Sequence, residues 1–433
     1  MTTARLHVGV SVVEVDVPVG TPMAGFAARQ GPSTGTLDPL TVRTLLFTVR
    51  GADSGGKENT SSVSITAVDV CALHEDTCTK IREAVTDRAS TCVVTATHTH
   101  AGPCCARGRL GPAGPEIERS IVTAAISTIE SAVAGAVPCT LEFGQTHGVG
   151  VAHDRRRGHP VDPPVSLLTA RDLEGSAVAR LVHFPCHPVV MDGANRQISG
   201  DYPAYLRADL DKDGATTVFV TGCAGDINTG HSAEASYEPG GPGRTVEEAK
   251  RIGGLLADAV RRSQPRRLDV TVIEGDSRAV ELDLDVPGTA TIAAQAEAWR
   301  TEQRDAEPGP RMLLDAWTRW ADQQLELHRA GAVTTSWHGR VSVIHLGGLV
   351  LVALPGEPFL ATGNHIEDIL RNADPERTKD VLVLGYADGV PGYLPDQESY
   401  PDGGYEVLDA HRYYGMPGPF ARGGAERLEL AVR

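Results

Sequence analysis

Apolar and polar positions change period along this chain, and the changes mark out its elements. The opening stretch "MTTARLHVGVSVVEVDVP" alternates apolar and polar residues, the two-residue period of a half-buried strand. "RTLLFTVRG", "VSITAVDVC" and "TCVVTAT" are apolar runs of strand length, and "VSLLTARD" and "VARLVHFPC" are joined by "LEGSA" like a hairpin. Strands near Arg43, Val63, Cys92, Val165 and Val178 would suffice for a substantial sheet. Between them "IERSIVTAAISTIESAVAGA" has helical periodicity. Thr245 to Arg262 opens with a T-x-x-E capping box and closes on arginines that suit the helix dipole. Strands alternating with helices predict an α/β fold, a layered sandwich of mixed β-sheet with helices on both faces.

Residues 290–330 read differently, as two helices broken at "EPGP", an inserted helical hairpin that holds three of the four tryptophans. Scaffold, lid and subunit contact are all open roles for it, and with the last a homo-oligomer. After it "RVSVIHLGGLVLVALPGEP" predicts a β-hairpin turning at Gly347-Gly348, and "DVLVLGYADG" another buried strand. "GADSGGKENTSS" near residue 55 and "EPGGPGR" near residue 240 read as exposed turns.

A length of 433 residues leaves one large domain or two closely packed ones. Acidic residues outnumber basic ones 56 to 40, for a formal charge of −16, which argues against nucleic acid or an acidic membrane as partner. The N-terminus lacks the charged start and long apolar stretch of a signal peptide. No apolar run approaches the roughly 20 residues that span a bilayer. These features, with eight scattered cysteines that form no disulfide framework, place the protein in the cytoplasm with reduced thiols.

Polar residues just past strand ends are where ligands bind in such folds, and four places qualify. In "TATHTHAGP", His98 and His100 are two residues apart, so an extended backbone points both the same way. In "HFPCHPVVMDGANRQISGDYPAYL", His187 precedes a proline that stops the strand, whereas His183 lies inside the apolar run and reads as core. "FVTGCAGDINTG" is a strand, small residues and then Asp226 and Asn228; no lysine follows to make it a phosphate loop. Last, Glu357 follows Pro355-Gly356, and Tyr393 and Tyr405 lie in a glycine- and proline-rich loop. Two histidines from different strands and a carboxylate are a common zinc set with a position left for water.

At these residues the chain resembles the neutral (non-lysosomal) ceramidase family, in its N-terminal zinc amidohydrolase domain. "PVGTPMAGF", "THTHAGP", "HDRRR", "FPCHPVVM", "GDYPAYL", "GCAGDIN", "LPGEP" and "GYLPDQESYPDGGYEV" carry the resemblance in order, nearly end to end. It implies a single catalytic domain over residues 1–433, a short form without the C-terminal immunoglobulin-like domain. It also implies one zinc per chain held by His98, His187, Glu357 and Tyr393, with His100 as neighbouring active-site histidine. Arg155 falls on a substrate-contacting arginine, although Asp154 stands where asparagine is usual, and Tyr405 on a tyrosine near the scissile carbonyl. Serine ahead of the Gly-Asp pair is absent, the segment reading Thr221-Gly222-Cys223-Ala224-Gly225-Asp226.

The expected chemistry is hydrolysis of an amide (N-acyl) bond in a small soluble molecule by a zinc-activated water, with an ester or lactone as the alternative. His100 would shuttle the proton, Arg155 and Tyr405 would stabilise the oxyanion, and Asp201 would orient a zinc histidine. With an aromatic content of 5% and no amphipathic basic helix, stable membrane association is not expected. Two rivals stand against this: a binuclear metallophosphoesterase, suggested by "THTH", Gly225-Asp226 and "GNHIED", and a binding protein on a degenerate hydrolase fold. The order of the pieces opposes the first, and the presence of all four matched ligands the second.

Overall fold

The structure, a computed structural model, describes residues 5–52, 58–111, 114–233, 235 and 240–433. Three sheets organise it. The first contains β1 (Arg5–Val15), β2 (Leu40–Ala52), β3 (Glu58–Val68) and β4 (Thr91–Ala96), in the order β4-β3-β2-β1. Its strands pair antiparallel except β4, which returns parallel to β3 through helix α1 (Glu75–Ala84). Helix α2 (Pro115–Ala134) leads on to the second sheet. There β5 (Thr140–Thr146), β6 (Val165–Arg171) and β7 (Ala177–Phe184) pair antiparallel. After α3 (Tyr202–Leu210), β8 (Thr216–Thr221) lies parallel to β7; α4 (Val246–Arg262) then leads to β9 (Arg266–Leu268) at the far edge, beside β5.

The third sheet has the order β10-β11-β12-β13: β10 (Ile273–Asp283), β11 (Ser336–Leu346), β12 (Leu349–Ala353) and β13 (Asp380–Leu384). Helices α5 (Thr289–Glu302) and α6 (Pro308–Ala330) are inserted between β10 and β11, and α7 (Leu360–Ala373) between β12 and β13. The β11–β12 hairpin turns at Gly347-Gly348, where Gly347 has φ +62°. The expected turn near residue 55 centres on residues 53–57, which lie outside the described residues, and its flanks extend β2 and β3 instead. Of the expected turn near residue 240, only Glu238 and Pro239 lie outside them; Gly240 to Arg244 turn as expected, with the Arg244 N–H on the Gly241 carbonyl at 3.3 Å.

The five early strands therefore belong to two mixed sheets rather than one. Hydrophobic period says how buried a strand is, not which neighbour it pairs with. Alternate residues face opposite ways. One set from each sheet, including Phe47 and Ile65, Leu181 and Val220, and Leu351 and Leu384, meets in a common core. The opposite set meets helices: Val42 and Val94 pack with Ile121 and Ile129 of α2, Val352 and Val383 with Ile366 and Leu370 of α7. Phe184 and Phe219 pack with Leu206 of α3 and Leu256 of α4. Helices thus cover one face of each sheet, not both, because the other face is turned to the sister sheets.

Local signals explain where helices begin and end. Thr245 Oγ1 accepts the Glu248 N–H at 3.2 Å, and Arg261 and Arg262 occupy the last turn of α4. Pro308 begins α6, where no backbone donor is needed, and Gly331 ends it at φ +65°. Helices α5 and α6 close over their own small core of Ile292, Ala296, Trp299, Leu314 and Trp320. They dock through Trp320, whose Nε1 donates to the Met416 carbonyl at 2.8 Å. Arg412 lies among the rings of Trp299, Trp317 and Trp320, 4.8 to 5.6 Å from their centroids. No helix among the described residues is long and apolar enough to cross a membrane.

A buried ion pair fastens the first sheet to the second layer. Arg207 of α3 donates to both carboxylate oxygens of Asp69, just past β3, at 2.8 and 2.7 Å. Asp69 also accepts the Thr41 N–H and hydroxyl, each at 2.8 Å, and the Thr97 hydroxyl at 3.1 Å. Burial opposes its charge, but Arg207 and the Thr41 donors hold its pKa below the ordinary value. Arg207→Ala should lower unfolding free energy by about 3–5 kcal/mol, because a buried charge loses its partner. Urea denaturation measures this, and a loss under about 1 kcal/mol would mean that the threonines alone satisfy Asp69.

Candidate metal centre

The C-terminal ends of strands from all three sheets converge on one place. Past β4 the pairing with the segment that follows β3 continues, with Thr97 N–H on the Val68 carbonyl and His98 N–H on that of Val70, both at 2.9 Å. His98 adopts φ +67°, uncommon for a residue with a Cβ, and its side chain is fully buried. Its Nδ1 lies 2.6 Å from the Cys71 carbonyl. From the second sheet, the His187 N–H reaches the Ile227 carbonyl at 2.9 Å, and His187 Nδ1 lies 3.0 Å from the same oxygen. A carbonyl accepts only, so each Nδ1 carries hydrogen, and whenever the ring is neutral its Nε2 keeps a lone pair.

Glu357 follows the end of β12 of the third sheet. The strand pair Glu357–Pro358 and Tyr393–Leu394 runs parallel and sets Glu357 beside Tyr393. Glu357 Oε2 is 2.9 Å from His187 Nε2 and 3.3 Å from His98 Nε2; Tyr414 donates its hydroxyl to Oε1. Gly225 permits this: a Cβ there would come within 2.4 Å of the Glu357 carbonyl oxygen. Burial opposes charge on Glu357, yet the positive charge of His98 beside it and then the nearby His187 ring hold its pKa well below the ordinary range. Burial also works against protonated His98, but Glu357 and Cys71 raise its pKa to about 10. Burial lowers that of His187 to about 4. Protein alone thus balances the carboxylate with one proton on His98. Two carbonyl-anchored imidazoles and a carboxylate fit a divalent cation in that proton's place.

His100 flanks the trio, its Nε2 3.1 Å from His98 Nε2. Burial, then His98 and His187, push its pKa well down, so the ring is neutral. The segment before β2 holds it: a Cβ on Gly25 would lie 2.6 Å from the His100 ring, and Arg29 donates to the His100 carbonyl at 2.6 Å. Arg155 Nε donates to Glu406 at 2.8 Å and its Nη2 to the Tyr393 hydroxyl at 2.9 Å. Asp154 shapes the turn by accepting the Arg156 and Arg157 N–H groups at 2.9 and 3.0 Å. The Tyr393 ring lies nearly parallel to His187, and Tyr405 meets Tyr393 edge-on at 5.9 Å. His100, Arg155, Tyr393 and Tyr405 share a cavity of about 780 Å³.

Asp201 does not orient a histidine. Its carboxylate accepts the N–H groups of Tyr202 at 2.7 Å and Met191 at 3.2 Å, while backbone carbonyls of Cys71 and Ile227 already fill the Nδ1 positions. His183 is buried on the Val383 carbonyl at 3.0 Å, as its apolar run suggests. His365 of "GNHIED" lies on α7 facing Glu429, so the phosphoesterase pieces are not gathered. Sequence reasoning missed Tyr414, the two orienting carbonyls and Tyr386, whose ring stacks on His98 at 4.3 Å.

In the crystal structure of neutral ceramidase from Pseudomonas aeruginosa, 74% of the chain aligns with 99% of this one, with a TM-score of 0.74 and 16% identity. The chain has the neutral ceramidase fold. Ceramidase complexed with C2 aligns to the same extent, with a TM-score of 0.74 and 16% identity. In sequence, neutral ceramidase from Mycobacterium tuberculosis is 23% identical over 390 residues, 72% of this chain and 59% of that protein. The chain therefore spans less than two thirds of that relative's length. No family model matches.

Burial raises the Asp201 pKa to about 6, against about 3.9 when unfolded. Between those values the folded state holds the extra proton, so Asp201 lowers stability as pH rises from about 4 to about 6, by roughly 2–3 kcal/mol. Asp201→Asn should flatten that part of the stability profile. An unchanged slope in urea denaturation across the window would place its origin elsewhere.

Proposed function

We propose that this chain is a zinc-dependent hydrolase that cleaves an amide (N-acyl) bond in a small molecule. The observation that carries the reading is the meeting of His98 Nε2, His187 Nε2 and a Glu357 oxygen beside a cavity. Similarity in sequence and fold to neutral ceramidases supports it. Tyr393, adjacent to Glu357 in the parallel pair, is the proposed fourth ligand. Nitrogen and oxygen donors of this kind suit zinc. When bound, zinc lowers the pKa of a water to about 7 and polarises a carbonyl, so that hydroxide is available at neutral pH.

The chain's own residues supply the rest. His100, neutral and facing the same point as His98, takes the proton from water at Nε2 and delivers it to the leaving nitrogen. Arg155 is clamped by Glu406, so its guanidinium is already aimed when negative charge develops on the carbonyl oxygen, and Tyr405 supplies a second donor. No serine precedes the Gly225-Asp226 pair and Cys223 is buried with its pKa pushed well up, so no covalent nucleophile is invoked. An ester or lactone could be opened by the same groups.

Elemental analysis should find about one zinc per chain in the wild type and far less in His187→Ala. Zinc retained at the wild-type level in that variant would remove His187 from the ligand set. With zinc bound, N-acyl test compounds should release free amine. Arg155→Ala and His100→Ala should each reduce kcat by about 100- to 1,000-fold at unchanged zinc content. Wild-type turnover in either variant would exclude the assigned role.

A further inference from the structure

The cavity beside the metal centre is basic, in a protein that is not. The chain carries a formal charge of −16, yet the cavity is lined by four arginines and one carboxylate. That carboxylate, Asp315, already accepts the side-chain amide of Gln303. Two of the arginines are committed to the site: Arg29 donates to three backbone carbonyls and Arg155 is paired with Glu406.

The other two sit where the helical hairpin meets the segment it docks on. Arg319 of α6 is exposed at the cavity and makes no ion pair among the described residues. Arg412 is 8% exposed in its side chain and held among three tryptophan rings, with Nη1 on Asp409. Its Nε is buried with no hydrogen-bond partner among the described residues. An unmatched buried donor carries a desolvation penalty that an incoming acceptor would relieve. The tryptophans fix its position, so little freedom is lost when an acceptor arrives.

We propose that Arg319 and Arg412 receive an anionic oxygen group, a carboxylate or a phosphate, carried by the substrate away from its scissile amide. A planar guanidinium fork suits either group. This rests on the amide hydrolase reading and names its substrate class: an N-acylated amino acid or amino-phosphate rather than a neutral amide. Met23, Phe26 and Met312 remain to receive an apolar acyl chain.

Three matched probes test this on the zinc-loaded protein: N-hexanoylglycine, its methyl ester, and N-hexanoyl-O-phosphoethanolamine, each followed by calorimetric binding and by amine release. One or both anionic probes should bind about tenfold or more tightly than the ester, and Arg319→Glu should reduce that preference by about the same factor. Which anionic probe is favoured separates carboxylate from phosphate. Arg412→Gln should lower the preference too, with near-ultraviolet circular dichroism checking that the tryptophan cluster persists. Equal affinity for acid and ester, or a preference unchanged in both variants, would overturn the proposal. Cleavage of all three probes without preference would keep the hydrolase and discard the anion site. An anionic preference without cleavage would keep the site and discard the hydrolase.

Discussion

Glu357 is a carboxylate with no access to water, and the structure around it is organised to answer its charge. An isolated ionised carboxyl in an apolar interior is prohibitively costly, so such groups survive only with partners or metals. Here one oxygen faces two imidazoles and the other takes the Tyr414 hydroxyl. Each imidazole is in turn aimed by a backbone carbonyl, which fixes the tautomer without spending a second side chain. The demand extends further out. Gly225 has no side chain because the Glu357 backbone occupies that space, and the left-handed turn at His98 holds because its amide is fastened to the Val70 carbonyl.

The inserted hairpin shows how a peripheral element becomes part of such a site. Its core is small and its own, yet Trp320 ties it to the Met416 carbonyl, and Met312, Asp315 and Arg319 form part of the cavity wall. Scaffold and wall are therefore one role. The loop that follows Tyr405 is shaped from both sides, by Arg155 on Glu406 and by the tryptophan rings on Arg412.

Much of this was legible in the sequence, for identifiable reasons. The capping box of α4, the break at Pro308 and the turn at Gly347 are local events, and local residues report them. His98, His187 and Glu357 could be expected to gather because each follows a strand that ends in polar or small residues. Other features left no local trace. The orienting oxygens belong to the backbones of Cys71 and Ile227, and a carbonyl looks the same on every residue. Asp201 resembles an acid placed to orient a histidine, but its oxygens are taken by neighbouring N–H groups. Tyr414 lies 57 residues from Glu357, and nothing in its immediate surroundings announces the contact. Division into three sheets was hidden for the same reason, since partner choice is decided at long range.

Because His98, His187 and Glu357 each follow a strand of a different sheet, the constellation has a place in time as well as in space. The contact between His187 and Glu357 closes 170 residues of chain, and non-local contacts of that kind form late in folding. A chain with any one sheet undocked lacks at least one of the three donors. A metal held as proposed would then be acquired as the last event of maturation, and a misassembled molecule would hold none.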